Sequence, residues 1–125
     1  MRLAMAQMNM TDSVPGNLRT TLNMMERAKT DGADLIFFPE IQLSPFFPKY
    51  PGRDAARWRM RPDGPEVREI QDACRSLSIW ASPNLYLEMD GGSYDTSLLI
   101  DDRGEIRGMS KMVHIYQAEN FYEAD

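Results

Sequence analysis

The run Leu35-Ile36-Phe37-Phe38-Pro39-Glu40 decides the fold class. Its apolar part has the length of a strand, and Pro39 closes it because proline cannot donate to a ladder. Upstream, Leu18, Leu22, Met25 and Ala28 recur at helical spacing, with Gly32 as a stop. Asp12, Ser13, Pro15 and Gly16 are turn and helix-start residues, so a helix is expected from about Pro15 to Asp31. Leu3 to Met8 is another apolar run of strand length. Strand, helix and strand in that order make a βαβ unit, and therefore an α/β protein.

Downstream, Ser44 to Gly52 is rich in proline and aromatic residues and cannot stay regular for long. Gly64 and Pro65 open a second helix whose apolar face is Val67, Ile70, Cys74 and Leu77. Ile79 to Met89 reads as a strand interrupted by Pro83, which must lie at an edge, a bulge or a strand end. Asp90-Gly91-Gly92-Ser93 reads as a hairpin turn, Tyr94 to Ile100 as its return strand. Asp102-Arg103-Gly104 is the next turn, and Ile106 to Val113 the next strand. Two helices cannot cover such a sheet, so apolar surface is expected to stay open. The sequence stops at Glu123-Ala124-Asp125 without a closing element and reads as part of a larger domain.

A chain of 125 residues is enough for one small domain. With 42% hydrophobic and 26% charged residues it has a globular balance rather than a disordered one. The net charge of −5 and the lack of a basic stripe argue against a nucleic-acid partner. No apolar run approaches a membrane span, and the apolar start is too short for a secretory signal. A cytoplasmic location is the default expectation. The single cysteine excludes an internal disulfide framework. His114 is the only histidine and has no cysteine near it, so it reads as a structural or supporting group, and neither a metal nor a cofactor is expected.

Glu40 follows an apolar strand, and ligands of open α/β sheets gather at the carboxyl ends of strands. Partial desolvation there would raise its pKa toward that of a general base; the plainer reading is a solvated turn glutamate. Strand alternation puts Lys111 between Met109 and Val113, where an ammonium would be costly unless functional; the plainer reading is an edge-strand lysine that discourages aggregation. Glu119 and Glu123 follow closely, as partners for Lys111 or as solvated loop acids. Cys74 lies in line with Ile70 and Leu77 and reads as a small buried hydrophobe, not a nucleophile. The stretch Ser44 to Tyr50 either walls a pocket beside Glu40 or pins a loop to the core.

Taken together, these segments resemble the nitrilase superfamily of carbon–nitrogen hydrolases. The likeness is carried by Arg2-Leu3-Ala4-Met5-Ala6-Gln7, Gly16-Asn17-Leu18, and Gly32-Ala33-Asp34-Leu35-Ile36-Phe37-Phe38-Pro39-Glu40. It continues through Tyr94-Asp95-Thr96-Ser97-Leu98-Leu99-Ile100, Gly104-Glu105-Ile106 and Lys111-Met112-Val113-His114-Ile115, covering nearly the whole chain. The resemblance implies an α–β–β–α sandwich, of which residues 1–125 are the N-terminal portion, and a Cys–Glu–Lys triad acting on an amide, nitrile or carbamoyl carbon. Glu40 matches the general base and Lys111 the oxyanion support. Glu123, in Phe121-Tyr122-Glu123, matches the second glutamate that positions lysine and substrate, in preference to Glu119. Lys111 through Glu123 resembles the N-carbamoyl-cleaving members, β-ureidopropionase among them, and family membership implies a homo-oligomer.

The departures bear on activity. The family's cysteine belongs a few tens of residues beyond Lys111, past the last residue here, so this polypeptide alone is not expected to turn over substrate. Asp95 stands where asparagine is common, Pro83 breaks a strand that usually continues, and Lys111 to His114 is one residue longer than in many members. A hydrolase supplied with its cysteine by further polypeptide is one expectation; a non-catalytic remnant that binds a partner subunit or a ligand is the alternative.

Overall fold

A computed structural model describes residues 1–9, 11, 13–40, 42–43, 60–89, 92–111, 117–118 and 121–122. Strands β1 (Leu3–Met5), β2 (Leu35–Phe37) and β3 (Trp80–Ser82) pair in parallel, with Leu3, Leu35 and Trp80 in register. Helix α1 (Val14–Thr30) links β1 to β2, and α2 (Pro65–Leu77) lies between β2 and β3, so the expected βαβ unit is present and followed by a second crossover. α1 begins where Ser13 caps it: its Oγ accepts from the Gly16 N–H at 3.0 Å, satisfying an amide that a helix start leaves open. It ends before Gly32, whose φ of +84° is a left-handed value that favours glycine.

Strand β4 (Asn84–Met89) and strand β5 (Gly92–Ile100) form an antiparallel hairpin, in register from Asn84↔Ser97 to Met89↔Gly92. The turn residues Asp90 and Gly91 lie outside the described residues. Strand β6 (Ile106–Lys111) pairs with β5, and Thr96 and Ser97 pair with both β4 and β6, which makes β5 interior and, among the described residues, leaves β6 at an edge. The expected single strand Ile79–Met89 is two strands, β3 and β4, both paired with β5. The break is at Pro83, which has no N–H to offer; its carbonyl accepts from the Leu98 N–H at 2.9 Å. A separate two-stranded ribbon joins β7 (Gln117–Ala118) and β8 (Phe121–Tyr122).

One face of the sheet is the core. Ile36, Ala81, Leu85, Leu87, Leu98 and Ile100 pack there with Met25 of α1 and Val67, Ile70 and Cys74 of α2. The two helices touch each other over that face. Opposite it, Met5 is 84% exposed, Leu3 54% and Phe37 38%. Alternation along a strand puts these on the uncovered face, so the expected open apolar surface is present. Among the described residues, no helix is long and apolar enough to cross a membrane.

Candidate active site

Glu40 lies in the turn just past the carboxyl end of β2, and Lys111 is the last residue of β6. The chain brings them together by pairing: β2 bonds β3, β3 bonds β5, and β5 carries β6, with Thr96 opposite Lys111. Both residues line one cavity of about 550 Å³. Phe37 and Phe38 form an apolar part of its wall. Ser82, Asn84, Asp95, Ser97 and Ser110 make the remainder polar.

Strand register explains that polar wall. Asn84 lies opposite Ser97, and its Nδ2 donates to the Ser97 Oγ at 2.9 Å. Asp95 and Ser97 share the face of β5 that turns away from the helices, while Thr96, Leu98 and Ile100 turn toward them and are buried. Asp95 is 9% exposed, and among the described residues its Oδ2 has no hydrogen-bond partner. The Lys111 ammonium lies over the Tyr94 ring, 4.6 Å from its centre.

Two expectations are corrected. Glu40 is exposed rather than partly desolvated, because it stands on the rim beyond Pro39 instead of inside the wall. Lys111 does not sit between buried apolar neighbours: Met109 is 45% exposed, since β6 is an edge strand bonded only to β5 among the described residues. Val113, His114, Glu119, Glu123 and the aromatic stretch Ser44 to Tyr50 lie outside the described residues. Cys74 is fully buried in α2, and burial, with a lesser push from the Asp101 charge, raises its thiol to about 12. At neutral pH such a thiol carries almost no thiolate and cannot serve as a nucleophile.

Reasoning from sequence passed over Ser82, Asn84, Ser97 and Ser110, and saw Asp95 only as a departure from a pattern. The alternation Asp95, Ser97 against Thr96, Leu98, Ile100 was the available signal, since it marks β5 as having one polar face. Gln42, fully buried beside the Glu40 turn, was also missed.

The sequence profile of the carbon–nitrogen hydrolase family matches residues 2–124. The chain belongs to that family, the nitrilase superfamily. It is 28% identical over 116 residues to a formamidase of Pseudomonas syringae pv. tomato, covering 90% of this chain and 33% of that protein. A carbon–nitrogen hydrolase from Helicobacter pylori shares the fold with a TM-score of 0.83 at 14% identity, over 99% of this chain and 43% of that one. A variant of the amidase from Nesterenkonia sp. AN1, with the acetamide moiety of fluoroacetamide added covalently at its active-site cysteine, matches with a TM-score of 0.76 at 22% identity. That match covers 96% of this chain and 45% of the amidase. The chain thus spans about a third of the length of the formamidase, and its architecture is part of an α–β–β–α sandwich.

Proposed function

We propose that residues 1–125 are the N-terminal portion of a hydrolase of non-peptide carbon–nitrogen bonds. Its substrate is a small amide or an N-carbamoyl amine, and the working protein is a homo-oligomer. The reading rests on one observation: Glu40 and Lys111, from distant parts of the chain, line the same polar-walled cavity.

In this mechanism a cysteine from polypeptide beyond Asp125 attacks the carbonyl carbon. Glu40 takes the thiol proton, and its exposed position on the rim leaves room for substrate. The Lys111 ammonium stabilises the charge that develops on the carbonyl oxygen. Glu123 holds that ammonium in place. Glu40 then gives its proton to the leaving nitrogen, ammonia or amine departs, and water hydrolyses the thioester with Glu40 again as base. An N-carbamoyl substrate would release carbon dioxide as well. Cys74 takes no part, because it is buried and its thiol is held neutral. The chain alone is therefore inactive.

The test is to express the chain extended by its native downstream sequence and to assay ammonia release from formamide, propionamide and N-carbamoyl-β-alanine. Turnover of any of these is expected from the extended protein and none from residues 1–125. Lys111→Ala should lower turnover by about two to three orders of magnitude, as loss of an oxyanion donor does. Near-normal turnover in that variant would remove Lys111 from the mechanism.

A further inference from the structure

Gln42 stands two residues beyond Glu40 and is fully buried, a position where an apolar side chain would cost less. Its backbone N–H and both polar atoms of its side chain are engaged. The backbone N–H donates to the Asn84 carbonyl at 3.0 Å, and Oε1 accepts from the Asn84 N–H at 2.9 Å. Nε2 donates to the Thr21 Oγ1 at 3.1 Å, and that hydroxyl donates to the Asn17 carbonyl inside α1 at 3.0 Å. The neighbouring Leu43 carbonyl accepts from Asn17 Nδ2 at 2.9 Å.

These bonds have a direction. On one side they end in α1, the longest of the described elements. On the other they end at Asn84, which lines the cavity and donates to Ser97, another lining residue. The short segment that carries Glu40 is therefore tied at one residue to both the helix layer and the cavity wall. A satisfied buried network of this kind fixes a unique geometry, and breaking it leaves a buried amide without a partner.

We infer that Gln42 is a positioning residue that holds Glu40 in register with the Asn84–Ser97 wall of the cavity. The inference rests on the proposed role of Glu40 as the base. Displacing a base by about an ångström costs up to about 100-fold in rate without touching the substrate's own contacts. Gln42 thus governs the chemical step more than substrate binding.

The experiment uses the full-length polypeptide that carries this chain, with Gln42→Met, Gln42→Glu, Thr21→Val and Glu40→Gln compared on the same amide. Gln42→Met keeps the volume and removes both side-chain bonds. It should lower kcat by about tenfold or more, leave KM within about threefold, and move the acid limb of the pH–rate profile. Gln42→Glu keeps an acceptor for the Asn84 N–H and should recover part of kcat. A folded Gln42→Met protein with wild-type kcat and an unmoved acid limb overturns the inference. Should Gln42→Met fail to fold, Thr21→Val decides: it removes the acceptor that anchors Gln42 Nε2 and leaves the Asn84 bonds and the Asn17–Leu43 bond in place. There kcat should fall by a smaller factor, about two- to fivefold, and an unchanged kcat overturns the inference. Glu40→Gln separates the two levels. Full activity in it sinks the proposed role of Glu40, whereas lost activity beside an unaffected Gln42→Met sinks the positioning role alone.

Discussion

The Lys111 ammonium rests 4.6 Å from the centre of the Tyr94 ring, across the β5–β6 pairing. Lys111 is opposite Thr96, so Tyr94 is its diagonal neighbour on the same face, within reach of a long side chain. The ring has its own support: a Cβ at Gly92 would lie 2.9 Å from the Tyr94 hydroxyl and 3.1 Å from Cζ, so the aromatic side chain occupies the space that glycine leaves. An exposed cation–π contact contributes about 0.5–1 kcal/mol. In the full-length protein, Tyr94→Leu should therefore lower kcat by about two- to fivefold, while Tyr94→Phe retains the ring and stays near wild type. Gly92→Ala, which pushes the ring aside, should fall with the leucine variant. Steady-state kinetics on the three proteins checks this, and a wild-type kcat for Tyr94→Leu would separate Tyr94 from the placement of Lys111.

The fold was legible in the sequence wherever burial dictated residue type. The apolar stripes of both helices and the run Leu35 to Phe38 are needed by any chain that builds a core, and they marked α1, α2 and β2 to within a residue or two. Ser13, Gly32 and Gly104 announced their turns because capping and left-handed backbone restrict what a position tolerates. The split at Pro83 was seen as an interruption but not as two strands, since a missing N–H shows where a ladder fails and not what pairs on either side. The site was less legible. Glu40 and Lys111 were singled out by strand position, yet the degree of exposure of each depends on which strand is an edge, and pairing order is a tertiary fact. Gln42 was invisible because a glutamine among apolar residues looks like a solvated loop until its partners Asn84 and Thr21 are known.

Burial of Cys74 couples stability to alkaline pH. Its thiol rises from 9.0 to about 12 on folding, chiefly through desolvation and secondarily through the Asp101 charge. Folding therefore favours the neutral thiol. This contribution is complete below about pH 9 and is lost as pH climbs toward 12. Within that window the slope is about 1.4 kcal/mol per pH unit. Urea unfolding at pH 8 and pH 10 should show wild type losing about 1 kcal/mol more than Cys74→Ala over the same interval. Equal losses would mean that the folded thiol is not held neutral.

Gly104 joins the turn after β5 to α2. Its φ is +81°, and a Cβ there would lie 2.5 Å from the backbone oxygen of Gln71. The contact is close because the turn is docked: Gln71 Nε2 donates to the Gly104 carbonyl at 2.9 Å, and Arg75 Nε donates to the Arg103 carbonyl at 3.2 Å. Alanine at this position incurs both a left-handed backbone penalty and a clash with backbone that cannot rotate away. Gly104→Ala should destabilise the fold by about 2 kcal/mol or more, read as a lower urea midpoint with an unchanged slope. A midpoint equal to wild type would show that the turn is not docked on α2 in solution.

Asp95 is a case where the chain carries a cost that a conservative change would relieve. It is 9% exposed, faces Tyr86 across the β4–β5 pairing, and leaves Oδ2 without a partner among the described residues. A buried oxygen of a charged carboxylate is more expensive to leave unpaired than that of a neutral amide, because the charge loses more hydration. Asp95→Asn keeps the shape and removes the charge. It is expected to raise stability by about 1 kcal/mol at neutral pH. The sign is diagnostic, since most substitutions at buried positions destabilise. A higher urea midpoint for Asp95→Asn than for wild type at pH 7 would show that Oδ2 lacks a donor in the folded state. A lower midpoint would show instead that Oδ2 is met by a donor in solution, and that the carboxylate contributes to holding the cavity wall together.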